Sequence, residues 1–300
     1  MKVKEAKKWL MERLGTIYDD NESANIALLV LEDCIGFAGT EIMMNKEEEI
    51  TVNQENKIGK YIERLLQHEP IQYIMNKSWF YGMELYVDKA VLIPRPETEE
   101  LVDWVVKDMK ASGIDVFPKE ATDADVTTQL KILDIGTGSG CIALALKKML
   151  PKAEVWGCDT SEEALNVARR NGAALDIRVD FQGANFLDEA QQKFLPTVDI
   201  IVSNPPYIPL SDSTAMQQNV VGYEPHIALF VPNDDPLLFY KAIAHFARKR
   251  LYENGCIYLE IHEALGEGVI SLFKAEGYQN VELRKDMQGK DRMLKVVNGK

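Results

Sequence analysis

Residues that commonly build metal centres are scarce in this chain of 300 residues. The cysteines and histidines number four each and are scattered, with no CxxC pair and no histidine at metal-ligand spacing. The cysteines are Cys34, Cys141, Cys158 and Cys256. We therefore expect reduced, structural cysteines and no bound metal.

Long apolar runs and an excess of basic charge are also missing. No stretch reaches the roughly 18 uninterrupted apolar residues of a membrane helix, and the basic residues near Met1 precede no apolar signal segment. We expect a cytoplasmic protein. The net charge of −13 repels a phosphate backbone, so stable nucleic-acid binding is not expected. Nothing in the sequence demands more than a monomer.

The amino-terminal region shows helical periodicity. Val3, Ala6, Leu10 and Leu14 fall on one stripe. Further helices are predicted over 24–35 and up to Pro70, the last of them capped by Thr51. We predict a small all-helical domain over 1–75, and a bundle of this kind serves partner binding or packing more often than catalysis. A β-hairpin linker is predicted over 76–96.

Residues 97–300 alternate between strand and helix patterns, which is typical of an α/β, doubly wound, mostly parallel sheet. Residues 111–129 are polar and predict an exposed loop. The predicted strands are 131–135, 154–158, 177–182, 198–203 and 256–261, and the predicted helices are near 141–149, 161–171, 235–250 and 263–275. Strands at 278–283 and 292–297 are predicted to close the sheet as an antiparallel hairpin, because too few residues join them for a crossover helix.

The first candidate site is a glycine-rich segment that follows a predicted strand and opens a helix. Its spacing is GxGxG, not the GxGxxG of nicotinamide-binding proteins. Glycines here allow a tight turn and close approach to a ligand, and the helix N-terminus favours an anion. Asp159 ends the next strand, where its carboxylate can accept both hydroxyls of a ribose. The segment supplies Asp134, Gly136, Thr137, Gly138, Ser139 and Gly140 as candidate cofactor-binding residues.

The second candidate site is Asn204-Pro205-Pro206-Tyr207, directly after the predicted strand 198–203. The prolines stiffen this segment and supply no N–H. The Asn204 side-chain oxygen and the Pro205 carbonyl can then accept both N–H groups of a planar NH₂ and aim its nitrogen at an electrophile. Tyr207 is predicted to stack on the flat substrate group. Asn204, Pro205 and Tyr207 are the candidate catalytic residues, and all four are candidate substrate-binding residues.

The two motifs together resemble class I S-adenosylmethionine-dependent methyltransferases, whose fold is Rossmann-like. Three further segments, 70–74, 79–82 and 92–99, resemble the release factor glutamine N5-methyltransferase family, as does Gly222-Tyr223-Glu224-Pro225. The resemblance implies that S-adenosyl-L-methionine is the cofactor, bound by 136–140, Asp159 and also Asn204. It implies that class I peptide chain release factors are the protein substrate, methylated on the side-chain amide of the glutamine in a Gly-Gly-Gln loop. It also implies that the helical domain over 1–75 recognises this substrate.

One position departs from the family pattern. Two residues before Phe186 the family carries an acidic residue, and here Ala184 takes that place. We hypothesise that Asn185 supplies the polar contact to the adenine instead. Alternative functions are an adenine N6 methyltransferase acting on nucleic acid, a nicotinamide-dependent oxidoreductase and a catalytically silent binding module. The net charge weighs against the first, the glycine spacing against the second and the intact motifs against the third.

Overall fold

The computed structural model describes residues 1–112 and 129–299. These residues form two compact units, the first made of 1–77 and 217–223 and the second of 78–216 and 224–300. The predicted exposed loop over 111–129 lies almost wholly outside the described residues.

The helices and strands are numbered in chain order. The helices are α1 (Val3–Leu14), α2 (Asp20–Ile35), α3 (Gly39–Met44), α4 (Val52–Leu65), α5 (Ile71–Met75), α6 (Pro96–Ala111), α7 (Cys141–Met149), α8 (Glu162–Leu175), α9 (Glu189–Gln192), α10 (Gln218–Val221), α11 (Leu238–Arg250) and α12 (Gly266–Ala275). The strands are β1 (Ser78–Phe80), β2 (Met83–Leu85), β3 (Lys131–Ile135), β4 (Glu154–Asp159), β5 (Asp180–Gly183), β6 (Val198–Ser203), β7 (Ile208–Pro209), β8 (Phe230–Val231), β9 (Leu251–Glu260), β10 (Asn280–Lys285) and β11 (Asp291–Val297).

The first unit is a helical bundle whose core is the stripe predicted on α1 together with apolar residues of α2 and α4. Thr51 caps α4 as predicted, because its hydroxyl accepts the backbone N–H of Gln54 at 3.3 Å. The predicted role of Pro70 is wrong. Helix α4 ends at Leu65, and Pro70 instead precedes α5, since the left-handed backbone of His68 (φ 65°) has already turned the chain.

The second unit contains a seven-stranded sheet in the order β10-β11-β9-β6-β3-β4-β5. The strands from β9 to β5 run parallel, and β10 and β11 form the predicted antiparallel hairpin at one edge. Both faces are covered by helices, since Ile132 packs with α6 and α7 while the next residue, Leu133, packs with α11 and α12. This confirms the predicted α/β, doubly wound class.

Two strands begin three or more residues away from their predicted first residues. Strand β5 begins at Asp180, not at 177, because Asp176 ends α8 in the left-handed conformation and the amide of Ile177 bonds back to Gly172. Strand β9 begins at Leu251, five residues early, and a bulge with Asn254 at φ 63° interrupts its pairing with β6. The polar residues in that bulge resemble a turn in the sequence, so the pattern did not predict the start of the strand.

The hairpin β1–β2 is part of the core of the second unit. Phe80, Met83 and Leu85 are buried together with apolar residues of α6 and α7. Within the described ranges, no helix has the length and apolar character to cross a membrane.

Candidate active site

The sheet register brings the sequence motifs to one edge. Ile135 pairs with Cys158 on one side and with Ser203 on the other, so β3, β4 and β6 end at the same level. The hydroxyl of Ser203 donates to the Ile135 carbonyl at 2.7 Å and fixes the ends of β3 and β6 against each other. The residues that follow, Gly136, Asp159 and Asn204, are therefore neighbours at the carboxyl edge, where doubly wound folds bind ligands.

A cavity of about 300 Å³ opens at this edge. Five of the candidate cofactor-binding residues line it: Gly136, Gly138, Asp159, Asn185 and Asn204. Pro205 and Pro206 also line it, whereas Asp134, Thr137, Ser139, Gly140 and Tyr207 are not among the lining residues. The volume is at the lower end of the range for small-molecule sites, about 300–1,000 Å³.

The three loop glycines have different roles. All have positive φ, of 71° at Gly136, 52° at Gly138 and 80° at Gly140. A methyl group at either of the first two would meet nothing within 4 Å, whereas one at Gly140 would lie 3.1 Å from Phe181. Gly136 and Gly138 thus leave room for a ligand, and Gly140 allows α7 to pack closely.

Asp134 lies behind the loop and is fully buried. One carboxylate oxygen accepts the Thr137 hydroxyl at 2.7 Å, and the other, Oδ1, has no partner among the described residues. The Ser139 hydroxyl is also buried without a partner among them. Burial raises the pKa of Asp134 to about 7, against the opposing bond from Thr137. Two buried polar atoms at the glycine loop thus lack a hydrogen-bond partner among the described residues.

The Asp134 carboxyl should make the free energy of unfolding fall with rising pH. Its folded pKa of about 7 exceeds the ordinary value of 3.8, so the folded state holds the proton more tightly, and this stabilisation is lost as pH rises towards 7. Urea unfolding at about pH 5 and about pH 8 should show a larger loss for the wild type than for Asp134→Asn, which stays neutral. Equal losses in both proteins would contradict the assignment.

Asp159 is held by the backbone. One carboxylate oxygen accepts the N–H of Gly138 and the other that of Ser161, both at 2.9 Å. Burial raises the pKa of this carboxyl, and the two backbone bonds oppose the rise. Each oxygen keeps a second lone pair, which leaves acceptors for ribose hydroxyls. Asn185 faces the same cavity, and its side-chain oxygen accepts the N–H of Leu187 at 3.1 Å.

Asn204 belongs to a hydrogen-bonded chain that the sequence did not reveal. Its Nδ2 donates to the Thr98 hydroxyl at 3.1 Å, and that hydroxyl donates to Oε2 of Glu260 at 2.6 Å. The Tyr207 hydroxyl donates to the other oxygen of Glu260 at 3.1 Å. Tyr207 is not among the residues that line the cavity, and the stacking of its ring on the substrate group stays a prediction.

An ion pair lies near the rim of the cavity. Arg95 donates to Glu224 at 2.6 Å, and the second carboxylate oxygen accepts the N–H of Ile93 at 3.3 Å. Burial raises the pKa of Glu224, while Arg95 stabilises its charge. Leu92 and Pro225 line the cavity. The ion pair joins the segment that follows Leu92 to the segment that precedes Pro225.

Asn171 on α8 connects the glycine loop to the segment after β2. Its side chain is buried, accepts the N–H of Tyr86 at 2.7 Å and donates to the carbonyls of Tyr86 at 3.0 Å and Ser139 at 2.9 Å. The amide therefore satisfies three backbone groups from two distant parts of the chain.

Replacing Asn171 with alanine should lower the free energy of unfolding by about 2–3 kcal/mol, because buried backbone groups lose their partners. Asn166→Ala, at an exposed position of the same helix, should change it by about 0.5 kcal/mol or less. Urea denaturation of both variants measures the difference. Similar values for the two variants would show that Asn171 is not a structural connection.

Thr98, Asn171 and Glu260 were missed as site residues by sequence reasoning. Thr98 lies inside the segment 92–99 but had no role of its own there. For Glu260 the available signal was a charge at the end of an otherwise apolar strand, where an unpaired carboxylate would be costly. Asn171 stands in an ordinary helical pattern and carries no such signal.

Known proteins resemble this chain along nearly its whole length. Residues 5–75 match the model of the PrmC N-terminal domain, and residues 117–222 match that of the methyltransferase small domain. A Flavobacterium psychrophilum protein named release factor glutamine methyltransferase is 37% identical over 299 residues, which cover 99% of each chain. A Bacteroides thetaiotaomicron protein of the same name is 40% identical over 287 residues, 95% of this chain and 96% of that one.

A solved structure shares the fold. The methyltransferase from Pyrococcus furiosus superposes with a TM-score of 0.50 at 19% identity, covering 80% of this chain and 99% of that one. At this identity the likeness concerns architecture only. The two sequence relatives carry the assignment further, because at 37% and 40% identity they match almost end to end. By that likeness, this methyltransferase belongs to the release factor glutamine methyltransferase family.

Proposed function

We propose that this enzyme transfers a methyl group from S-adenosyl-L-methionine to the side-chain amide nitrogen of the glutamine in the Gly-Gly-Gln loop of class I peptide chain release factors. The observation that carries the proposal is the meeting of Asn204 and Pro205 with the glycine loop around one cavity. The names of the two relatives support the choice of protein substrate.

The cavity residues fit this cofactor. Gly136 and Gly138 leave their Cβ positions open, and the unpartnered oxygen of Asp134 lies behind the loop. We assign Asp134 and residues 136–140 to the amino-acid part of the cofactor, Asp159 to its ribose and Asn185 to its adenine. The bound cofactor would supply a methyl group on a positively charged sulfur.

The protein's contribution is to hold and orient the accepting nitrogen. The side-chain oxygen of Asn204 and the carbonyl of Pro205 would accept the two N–H groups of the glutamine amide, which leaves the nitrogen lone pair directed at the methyl group. No strong base is needed, because the alkylated nitrogen loses its proton readily. The apolar lining from Pro206, Ile227 and Phe239 excludes water, which favours a reaction that cancels the sulfonium charge.

The test is methyl transfer from labelled S-adenosylmethionine to a purified release factor. The same factor with its loop glutamine replaced, and duplex DNA, are the two comparison substrates. Label on the intact factor alone is the expected result. Label on DNA would favour an adenine N6 methyltransferase, and label on the glutamine-replaced factor would move the reaction to another residue.

We propose further that the helical residues 1–75 hold the release factor outside its loop. Deleting residues 1–70 should raise KM for the release factor by about tenfold or more, the loss of roughly 1.4 kcal/mol or more of contact energy. KM for a short peptide with the loop sequence should stay the same, which controls for damage to the active site. An unchanged KM for the intact factor would contradict this role.

A further inference from the structure

The carboxylate of Glu260 lies in the core of the second unit, at the carboxyl end of β9. Only 2% of the residue is exposed. It accepts two hydroxyl groups, that of Thr98 at 2.6 Å and that of Tyr207 at 3.1 Å. Thr98, in the first turn of α6, in turn accepts the side-chain N–H of Asn204 at 3.1 Å. Two hydrogen bonds thus connect the buried Glu260 carboxylate to the side-chain amide of Asn204, the group that we assign to substrate binding.

While Glu260 is charged, the hydrogen bonds from Asn204 through Thr98 to Glu260 can run in only one direction. A carboxylate only accepts, and a threonine hydroxyl has a single hydrogen, so that hydrogen points to Glu260. The Thr98 oxygen then offers lone pairs alone, and Asn204 must turn its NH₂ towards it. As a result the Asn204 oxygen points away from Thr98.

Several groups bear on the charge of Glu260. Burial raises its pKa, while the hydroxyls of Thr98 and Tyr207 and the positive charge of Arg292 oppose the rise by stabilising the carboxylate. Burial and the charge of Glu260 raise the pKa of Tyr207, so the phenol keeps its proton and acts as the donor. With Glu260 ionised, the hydrogen-bonded series begins from an acceptor with two donors directed at it.

We propose that Glu260 and Thr98 are positioning residues that fix the side-chain amide of Asn204 with its oxygen towards the substrate. This rests on the proposed function and extends it to specificity. An oxygen in that place accepts a hydrogen from the NH₂ of glutamine. A substrate with glutamate in place of glutamine has no hydrogen to donate there, and its carboxylate would face two acceptors, the Asn204 oxygen and the Pro205 carbonyl. The fixed orientation of Asn204 therefore selects an amide over an acid.

The donor and acceptor roles of Thr98 and Asn204 can reverse if residue 260 is able to donate a hydrogen bond. In Glu260→Gln the new NH₂ can donate to Thr98, whose hydrogen is then free to bond to the Asn204 oxygen. The side-chain amide of Asn204 could then rotate by half a turn with almost no change in shape, which would place its NH₂ group against the NH₂ group of the substrate glutamine. In Thr98→Val both hydrogen bonds of the hydroxyl are lost with little change in shape, whereas Thr98→Ser keeps the hydroxyl.

The experiment measures steady-state methylation of a release factor by the full-length variants. Glu260→Gln and Thr98→Val should lower kcat by about 10- to 100-fold, as expected for a misplaced reacting group. KM for S-adenosylmethionine should change by about twofold or less, because neither residue lines the cavity. Thr98→Ser should restore most of kcat, a rescue that a purely structural role for the methyl group would not give.

Tyr240→Phe is the matched control. Its buried hydroxyl donates to the backbone oxygen of Glu260 at 3.1 Å, outside the chain to Asn204. It should keep at least about half of the wild-type kcat, since only one hydrogen bond to a neutral group is lost. A loss equal to that of Glu260→Gln would show that general packing around Glu260 is what matters, and would overturn the proposal.

A second measurement needs no methyl acceptor. The side-chain NH₂ signals of Asn204 in a ¹⁵N spectrum, identified by their absence in Asn204→Ala, should show slowed hydrogen exchange in the wild type and fast exchange in Thr98→Val. Equal exchange in both, or full activity of folded Glu260→Gln and Thr98→Val, would overturn the positioning role. A wild type that does not label the release factor but shows the exchange difference would overturn the proposed function alone.

Discussion

Replacement of Asn204 by alanine is expected to reduce kcat for release factor methylation by about 10²- to 10³-fold, the usual cost of removing one group that stabilises a transition state. The reason is geometric. Asn204 follows β6 directly, lines the cavity and has its NH₂ bonded to Thr98. Its oxygen is then the side-chain atom best placed to hold the accepting nitrogen.

The matched control is Asn185→Ala, an asparagine on the same cavity. It should weaken S-adenosylmethionine binding by about 3- to 10-fold, the loss of one hydrogen bond, and leave kcat at saturating cofactor nearly unchanged. Calorimetric titration and rate measurements on both variants separate the two effects. Loss of kcat in Asn185→Ala with full activity in Asn204→Ala would contradict both assignments, and unchanged cofactor affinity in Asn185→Ala would contradict the adenine contact.

Substitution of Gly138 by alanine should weaken S-adenosylmethionine binding by about 1–3 kcal/mol, or roughly 5- to 150-fold, because the added methyl group enters space needed by the ligand. Gly138 has φ 52°, and its open Cβ position faces the cavity. Calorimetric titration with the cofactor measures the loss. Backbone strain will also lower the free energy of unfolding by about 1–2 kcal/mol.

Gly289→Ala separates strain from obstruction. Gly289 has φ 84° and equally open space around its Cβ position, but lies in the turn between β10 and β11. It should lose similar stability and bind the cofactor as the wild type does. If both variants bind normally, the cofactor does not approach Gly138. If both bind weakly, the loss at Gly138 reflects strain.

The parts of the fold set by local patterns could be predicted from the sequence. Strands β3 and β6 were predicted to the residue, because each is an apolar run that ends where a turn segment begins. The convergence of Gly136, Asp159 and Asn204 followed from the rule that parallel strands share a carboxyl edge. By contrast, β9 begins earlier than predicted because the polar residues of its bulge resemble a turn.

The supporting residues of the site could not be predicted, since their roles depend on long-range contacts. Thr98 and Glu260 are 162 positions apart in the chain, and Asn171 is 85 positions from Tyr86. Nothing in the local sequence of α6 or α8 indicates which distant group will face them. The hydrogen bond from Tyr207 to Glu260 was not predicted for the same reason, because its acceptor comes from β9.

The membership of residues 217–223 in the helical unit has a genetic consequence. The chain passes from the helical unit to the sheet unit at residue 78, returns at 217 and leaves again at 224. The Tyr223 hydroxyl donates to the Gln67 carbonyl at 2.7 Å within the helical unit. A recombination event that exchanged only the first seventy-odd codons would pair residues 217–223 with a helical segment from another protein, so we expect the two stretches to be inherited together.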